Sequence, residues 1–489
     1  MNKHWHLVHV MRLNLQTHAA VSVTAGANDG SDDLRLALAP NGLPCLPASG
    51  IAGVLRARVR ETRPDLEQGL FGWAKGQQGA ESRLQVDPGL MHDAMDRPVR
   101  GWPDPTTDDM LVTPWLLQPP PIRRRNAGGH RGAALQGAHF DRPFVPAGTR
   151  FTVDMRLWGD DEKRLLAEAS LLLSLCHGTG LRIGGATRSG MGRVHVVEGT
   201  GARHQRFDLR RPADLASYCQ WMATDQLAQL RRQPALTVAP TATDKGVCTL
   251  AGTTDGALRV GGGSHSLSSG VDKVPDDLPY VEERIVWNWQ GDRDRGSRTW
   301  AVVVPFSAVK GALSHRVAFH DHRLAGRWSS DSQAQRADQR ALSPAVRAWF
   351  GEASGPAGGH AGAVFGDDCV IPVDKVSPYL GRAHRHQSDR FLASPMPQLL
   401  FNAESLYDVP LSWRFEVDFA HARAYGADER ALRALDLALD DLAKGRLAIG
   451  ADDAIGLGVL RPDARIHKTD AWRLPPAAAP AAPEPEAAA

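Results

Sequence analysis

The sequence predicts an α+β protein built from two related halves, and three observations carry that prediction. Leu46–Val59 (LPASGIAGVLRARV) and Val304–Val317 (VPFSAVKGALSHRV) align without gaps at an offset of 258 residues. They share Pro47/Pro305, Ser49/Ser307, Gly53/Gly311, Leu55/Leu313, Arg58/Arg316 and Val59/Val317. Leu181–Val194 (LRIGGATRSGMGRV) and Leu447–Leu460 (LAIGADDAIGLGVL) pair Gly184/Gly450, Gly190/Gly456 and Gly192/Gly458 at an offset of 266. Between these motifs, strand-like and helix-like stretches follow in the same order in both halves, as a duplicated domain requires.

The first half opens on a strand or hairpin over residues 4–23, with Leu7, Val8, Val10, Leu13, Leu15, Val21 and Val23 as its apolar positions. The loop AGANDGSDD, residues 25–33, follows. On composition it is a surface turn, since Asn, Asp and Gly suit turns for backbone reasons. A buried strand then ends at Pro47, which cannot donate to a ladder. Ser49 is expected to cap the helix behind it, and Gly53 to let backbone or phosphate come close. An aromatic–glycine corner, Leu70–Gly72, closes the helical stretch.

Residues 73–130 are rich in Gly, Pro, Arg and Asp and read as an inserted arm outside the core. The arm carries PPPIRRRNAGGHRG, the most basic stretch of the chain. As Arg123, Arg124, Arg125 and Arg131 have no neighbouring acid, they suit phosphate contact better than a merely solvated loop. Val145–Met155 is a strand. Residues 161–177 form a buried helix with His177 as its C-terminal cap, and the glycine-rich hairpin ends the half.

Residues 201–245 read as a linker with a helix over Asp214–Arg231. The second half repeats the series: a strand, the Gly/Ser/Asp loop SHSLSSGVDKVPDD (residues 264–277), the proline–serine helix start, an insertion at 321–345, and the corner Trp349–Gly351. A segment follows in which His384, Arg385, His386 and Arg390 cluster. Then come the strand Val409–Phe419, an amphipathic helix and the second hairpin. His384/His386 and His320/His322 have the spacing of metal ligands, but with no third ligand set by the pattern they read as surface histidines. Residues 466–489 read as a disordered Ala/Pro tail.

The totals exclude several classes. At 489 residues the chain exceeds a single compact core. It has no run long enough to span a membrane, and its start lacks the apolar segment of a signal peptide. Five cysteines without CxxC spacing argue for a reducing cytoplasm and against a cysteine zinc site. A net charge of +2 means that any nucleic-acid binding must use local patches.

In their order, these motifs resemble the RAMP superfamily, specifically the backbone subunits (the "Cas seven" family) of type III CRISPR effector complexes. The features that carry the likeness are the Pro-x-Ser helix start, the Phe–Gly corner, the strand after VPAG and the terminal hairpin. His386–Glu404 is similar to that family's arginine-centred thumb, and Ile122–Asp141 occupies the same slot in the first half. Two copies in one chain resemble the tandem backbone fusions of III-D-like complexes. The resemblance implies two RRM-like, ferredoxin-like domains at 1–200 and 246–465, with inserted thumb and lid segments.

It also implies function: binding of a CRISPR guide RNA, pairing with target RNA, association with other effector subunits, and cleavage of the target by attack of a ribose 2′-hydroxyl with Mg²⁺ or another divalent cation. The family's catalytic aspartate falls in the loop before the proline–serine motif. That slot holds Asp29, Asp32 and Asp33 in the first half, and Asp272, Asp276 and Asp277 in the second; Asp33, Asp32 and Asp272 are the candidates. Candidate RNA contacts are Ser49, Arg56, Arg58, Arg123, Arg125, Arg188, Ser307, Lys310, Arg316, Arg385 and Arg390. Ala52 stands where the second half has Lys310, and Asp452 and Asp453 stand where the first has Thr187 and Arg188. The residues also allow a non-catalytic guide-RNA scaffold whose aspartates only form turns, or a duplicated metabolic enzyme using the histidine pairs.

Overall fold

The computed structural model describes residues 5–25, 34–104, 106, 108–128, 134–177, 180–197, 203–223, 245–268, 274–290, 293–328, 343–355, 358–389, 391–452 and 455–476. The chain divides into two compact units. The first comprises 1–127, 136–242 and 282–301, the second 128–135, 243–281 and 302–489.

The first unit is organised around the strand Leu7–Thr17. Its odd positions Leu7, Met11, Leu13 and Leu15 enter the main core, while Val8 and Val10 face a smaller cluster with Phe207 and Trp221. A strand apolar on both faces has to be covered on both. The sheet runs Leu181–Arg182, Arg193–Val196, Leu7–Thr17, Arg150–Gly159, Gly89–Met91, Cys45–Leu46, with every described pairing antiparallel. The helices Ala48–Thr62 and Glu162–Cys176 lay Ile51, Leu55, Val59, Leu165, Ala169 and Leu172 on the core. Asp161 caps the second of these, accepting from Arg164 N at 2.7 Å. At its other end, the Nδ1 of the C-cap His177 lies 2.7 Å from Leu173 O.

Three expectations are corrected in this unit and at the C-terminus. The arm 73–130 is not wholly outside the core, because Leu84–Val86 and Gly89–Met91 pair with Arg150–Gly159. Residues 203–223 are more than a linker. Arg203–Asp208 pairs along Leu7–Arg12, and the helix Pro212–Ala223 sets Tyr218 and Trp221 over Val8 and Val10. His9, 2% exposed, meets His204 at 2.9 Å there; burial and then the neighbouring His204 and Arg206 push its pKa down to about 4. Residues 466–476 are not a disordered tail either: Arg465–Lys468 pairs with the strand Gly246–Thr253, and Trp472 Nε1 donates to Asp436 at 2.9 Å.

The second unit has the antiparallel sheet Val364–Gly366, Pro410–Val417, Gly246–Thr253, Arg465–Lys468. Against it pack the helices Phe306–Leu324, Pro344–Phe350 and Glu429–Ala443, burying Val309, Leu313, Val317, Trp349, Leu435 and Leu439. A separate hairpin, Leu380–Ser388 with Pro395–Tyr407, carries the thumb sequence. His320, expected at the surface, is 3% exposed. It lies on the helix face that meets Glu429–Ala443, with Nε2 2.7 Å from Asp441.

Candidate nucleic-acid interface

The two proline-led helices start alike. Pro47 (φ −58°, ψ 137°) and Pro305 (φ −63°, ψ 134°) are the N-cap residues, and neither helix has a side-chain cap from its own N-cap. Ser49 and Ser307 thus sit two positions past the N-cap, too deep to cap. In the second unit Asp368 does that work from another segment, accepting from Phe306 N at 2.7 Å. Ser49 is exposed, and Ser307 and Lys310 are partly so. A Cβ built at Gly53 or Gly311 would meet nothing within 4 Å, so these glycines do not serve a close approach within the chain.

Two of the arginines behind the helix starts are engaged. Arg56 donates to Glu67 at 2.7 Å and to Gly72 O at 3.3 Å. Hydrogen bonds from Arg60 and then Arg56 hold the Glu67 carboxyl down to about 2. Arg58 is half-buried, and its Nε has no hydrogen-bond partner among the described residues. Arg316 donates to Asp441 at 2.5 Å and lies 4.6 Å from the Phe319 ring. Burial would raise the Asp441 carboxyl, but hydrogen bonds from His320 and Arg316 outweigh it and keep the group below the usual range.

The glycine hairpins close identically in the two units. Ile183 N donates to Gly192 O at 2.8 Å and Gly192 N to Ala20 O at 2.8 Å; Ile449 N donates to Gly458 O at 2.9 Å and Gly458 N to Ala257 O at 2.9 Å. Gly192 (φ +86°) and Gly458 (φ +78°) occupy the left-handed region. A Cβ there would come 2.5 Å from Ile183 O and 1.9 Å from Ile449 O, so no other residue fits. Arg188 lies in the short 3₁₀ turn of the first hairpin. In the second, Asp452 pairs with both Arg385 and Arg259 at 2.5 Å, and Arg259 also reaches Asp277 at 2.5 Å. Burial pulls the Asp452 carboxyl up, but the two arginines outweigh it and hold it low.

At the tip of the thumb hairpin, Asp389 accepts from Phe391 N at 2.7 Å and Leu392 N at 2.9 Å. This turn holds out two apolar side chains, 98% and 77% exposed. Arg390, beside them in sequence, lies outside the described residues, as do Asp29, Asp32, Asp33 and Asp272. The segment Ser266–Ser268, which precedes Asp272 in sequence, is bound by Glu404. Its Oε1 accepts from Leu267 N at 2.8 Å, and its Oε2 from the hydroxyls of Ser266 and Ser268 at 2.8 and 2.5 Å. Burial would raise the Glu404 carboxyl, yet these bonds hold it low. On the C-terminal side, Asp276 accepts from Asn402 N at 2.9 Å. Glu404, Arg259 and Asp277 were not among the candidates; the signal for Glu404 was a lone acid in an otherwise uncharged strand, PMPQLLFNAESLY.

Of the basic arm, Arg123 faces inward. It is 2% exposed and bound bidentately to Glu282 at 2.6 and 2.8 Å, so it does not present its guanidinium at the surface. The Arg124 side chain is 74% exposed, and the side chain of Arg125 lies outside what is described. Among the described residues, no three His, Cys, Asp or Glu side chains gather into a metal-ligand set. None of their helices is long and apolar enough to cross a membrane.

No curated protein matches the chain. A chain of a solved structure named "Type IV-B CRISPR Complex" is 19% identical, with a TM-score of 0.28, over 40% of this chain and 90% of that one. The family model described as "RAMP superfamily" matches residues 14–195, a span from the central strand through the first glycine hairpin. Residues 14–195 are therefore a RAMP-superfamily domain.

Proposed function

We propose that this chain is an RNA-binding subunit of a CRISPR effector assembly, with two RAMP-type halves fused in tandem. It holds a guide RNA along its helix starts, hairpins and thumb, pairs it with target RNA beside other effector subunits, and cuts that target next to Asp33 (with Asp32) and Asp272. The observation that carries the reading is the recurrence in both units of one glycine-locked hairpin with the same backbone bonds, the first of them inside the RAMP match. The open space over Gly53 and Gly311 and the exposed Phe391 and Leu392 support it, since RNA is recognised through its backbone and its unstacked bases.

In the cut, a ribose 2′-oxygen bonds to phosphorus and the P–O5′ bond breaks, leaving a cyclic phosphate and a 5′-hydroxyl. A carboxylate at Asp33 or Asp272 takes the 2′-hydroxyl proton or helps to hold a divalent cation. Such an ion, when bound, would stabilise charge on the phosphoryl oxygens. Asp276 and Asp277 are committed to Asn402 and Arg259 and do not offer themselves as ligands. The same commitment favours a second reading, a guide-RNA scaffold whose aspartates shape turns.

The test is retention of nucleic acid. Protein purified at low salt should carry RNA of defined length, released steeply as salt rises, because each phosphate contact sheds counterions. Replacing Arg56, Arg58, Lys310 and Arg316 together with alanine should weaken retention several-fold at moderate salt. RNA-free wild-type protein from cells expressing a CRISPR array, or unchanged retention in the variant, would sink the reading.

A further inference from the structure

In the second unit two arginines from one three-stranded sheet converge on a single oxygen. Arg385 lies on Leu380–Ser388 and Arg259 directly follows Ala257–Leu258, and both of these strands pair with Pro395–Tyr407. Nη1 of each arginine stands 2.5 Å from Asp452 Oδ2. Arg259 is fixed in place. Ala451 N of the second glycine hairpin donates to its carbonyl at 2.9 Å, and its Nη2 meets Asp277 Oδ1 at 2.5 Å. Arg385 comes from the thumb hairpin, and Asp452 is its one ion-pair partner among the described residues. The side chains of Arg259, Arg385 and Asp452 are 20%, 27% and 27% exposed, so an anion from solution can reach them. The hairpin's backbone does not call for an aspartate. Ala186 (φ +55°) holds the left-handed position of the first hairpin and Asp452 (φ +64°) that of the second, so a methyl group serves the same turn.

We propose that Arg259 and Arg385 form a phosphate site, and that Asp452 occupies it in place of an RNA phosphate until RNA arrives. The inference rests on the RNA-binding reading above, and it adds to that reading a site and the contact that keeps it closed. A carboxylate and a phosphodiester each carry one negative charge, so exchanging them preserves the charge balance around the two arginines. The phosphodiester fits better. Asp452 shares one oxygen between two guanidiniums, whereas a phosphodiester offers each its own non-bridging oxygen. Asp452 therefore sets a threshold. A phosphate held at this site alone gains little by displacing it, but one tethered by contacts elsewhere arrives at high effective concentration and prevails. An ion pair that merely fastened the hairpin to the thumb would have the opposite effect on binding, since removing Asp452 would then loosen the surface that RNA meets.

The experiment uses the full-length protein, as wild type and Asp452→Ala, with Asp452→Asn as the second variant should the first fold poorly. Anisotropy with labelled single-stranded poly(U) reads RNA affinity, and thermal melts with added inorganic phosphate read the anion site without RNA. Asp452→Ala should bind the RNA about five-fold tighter, the worth of one partly exposed ion pair. Phosphate should raise the melting temperature of this variant more than that of wild type. Adding Arg385→Ala should cancel both gains, because the two side chains act on one another. A folded Asp452 variant that binds RNA no tighter than wild type would overturn the proposal; if wild type still retains RNA in that case, the functional reading stands without it. If phosphate stabilises the variant through Arg385 while neither protein binds RNA, the site serves a free phosphate compound, and the RNA assignment and the functional reading fall together.

Discussion

Glu404 is 1% exposed and accepts from Leu267 N and from the Ser266 and Ser268 hydroxyls together. Glu404→Ala would take the shared acceptor away from these half-buried donors, at a cost of about 1–3 kcal/mol, and would loosen the segment that leads to Asp272. Denaturant melts of wild type and variant at pH 7 check the first effect. The acid limb follows from the lowered carboxyl pKa: the unfolded group titrates at 4.5, the folded one below it. The contribution is complete above pH 4.5 and is lost as pH falls through the folded value, because the unfolded state binds the proton first. Glu404→Gln should flatten that limb; equal loss of stability in wild type and Glu404→Gln between pH 5 and 3 would refute the assignment. Partners explain which residue roles could be read in the sequence. His177 was legible as a cap because its partner Leu173 is four residues away. Arg123 was not, because Glu282 lies 159 residues on.

The ribbon Val281–Gln290/Arg293–Val304 shows the same limit at the scale of elements. By sequence it belongs to the second half, yet Glu282–Ala301 fall in the first compact unit. Contacts within that unit hold it there. Ile285 N donates to Ala147 O at 2.8 Å, and Trp287 Nε1 to Gly148 O at 2.7 Å. Arg150, 5% exposed, meets Asp96 and Asp294 at 3.0 and 2.8 Å under the Trp287 ring, 4.2 Å from its centroid. Gly148 has φ +90°, and a Cβ on it would fall 1.8 Å from Ile285 O. Gly148→Ala should therefore destabilise the protein by about 3 kcal/mol or more, through backbone strain and displacement of the ribbon. Hydrogen exchange should then accelerate across residues 283–290 and 293–299; a ribbon still protected in the variant would show that it docks by other means. Local patterns had marked the helix at 161–177, observed over Glu162–Cys176, and both hairpins. The ribbon's placement depends on contacts between segments remote in sequence, which no periodicity encodes.

At the scale of the whole molecule, a net charge of +2 leaves no general field to hold RNA. Several candidate cations already face an internal carboxylate: Arg56 with Glu67, Arg316 with Asp441, Arg385 with Asp452. Phosphates would have to displace or share these partners. On the proposed function, these local sites would favour an RNA that fits many of them at once over any polyanion. The proposed tandem reading then makes its most exposed prediction. Asp33 and Asp272 precede the same proline-led helix start in two separate compact units, so they should govern two separate cuts in one target RNA. Asp272→Ala should abolish one cut and leave the other at its wild-type rate, because on the proposed reading each unit carries its own site. Asp32→Ala with Asp33→Ala should do the reverse, the pair being needed because the neighbouring carboxylates can substitute for one another. Both variants should retain guide RNA, since a carboxylate repels phosphate. Denaturing gels of end-labelled target, run with and without added Mg²⁺, read every outcome. If both cuts survive both variants, the chain is a scaffold and any nuclease activity belongs to a partner; if a single aspartate controls both cuts, the two halves do not act as independent copies.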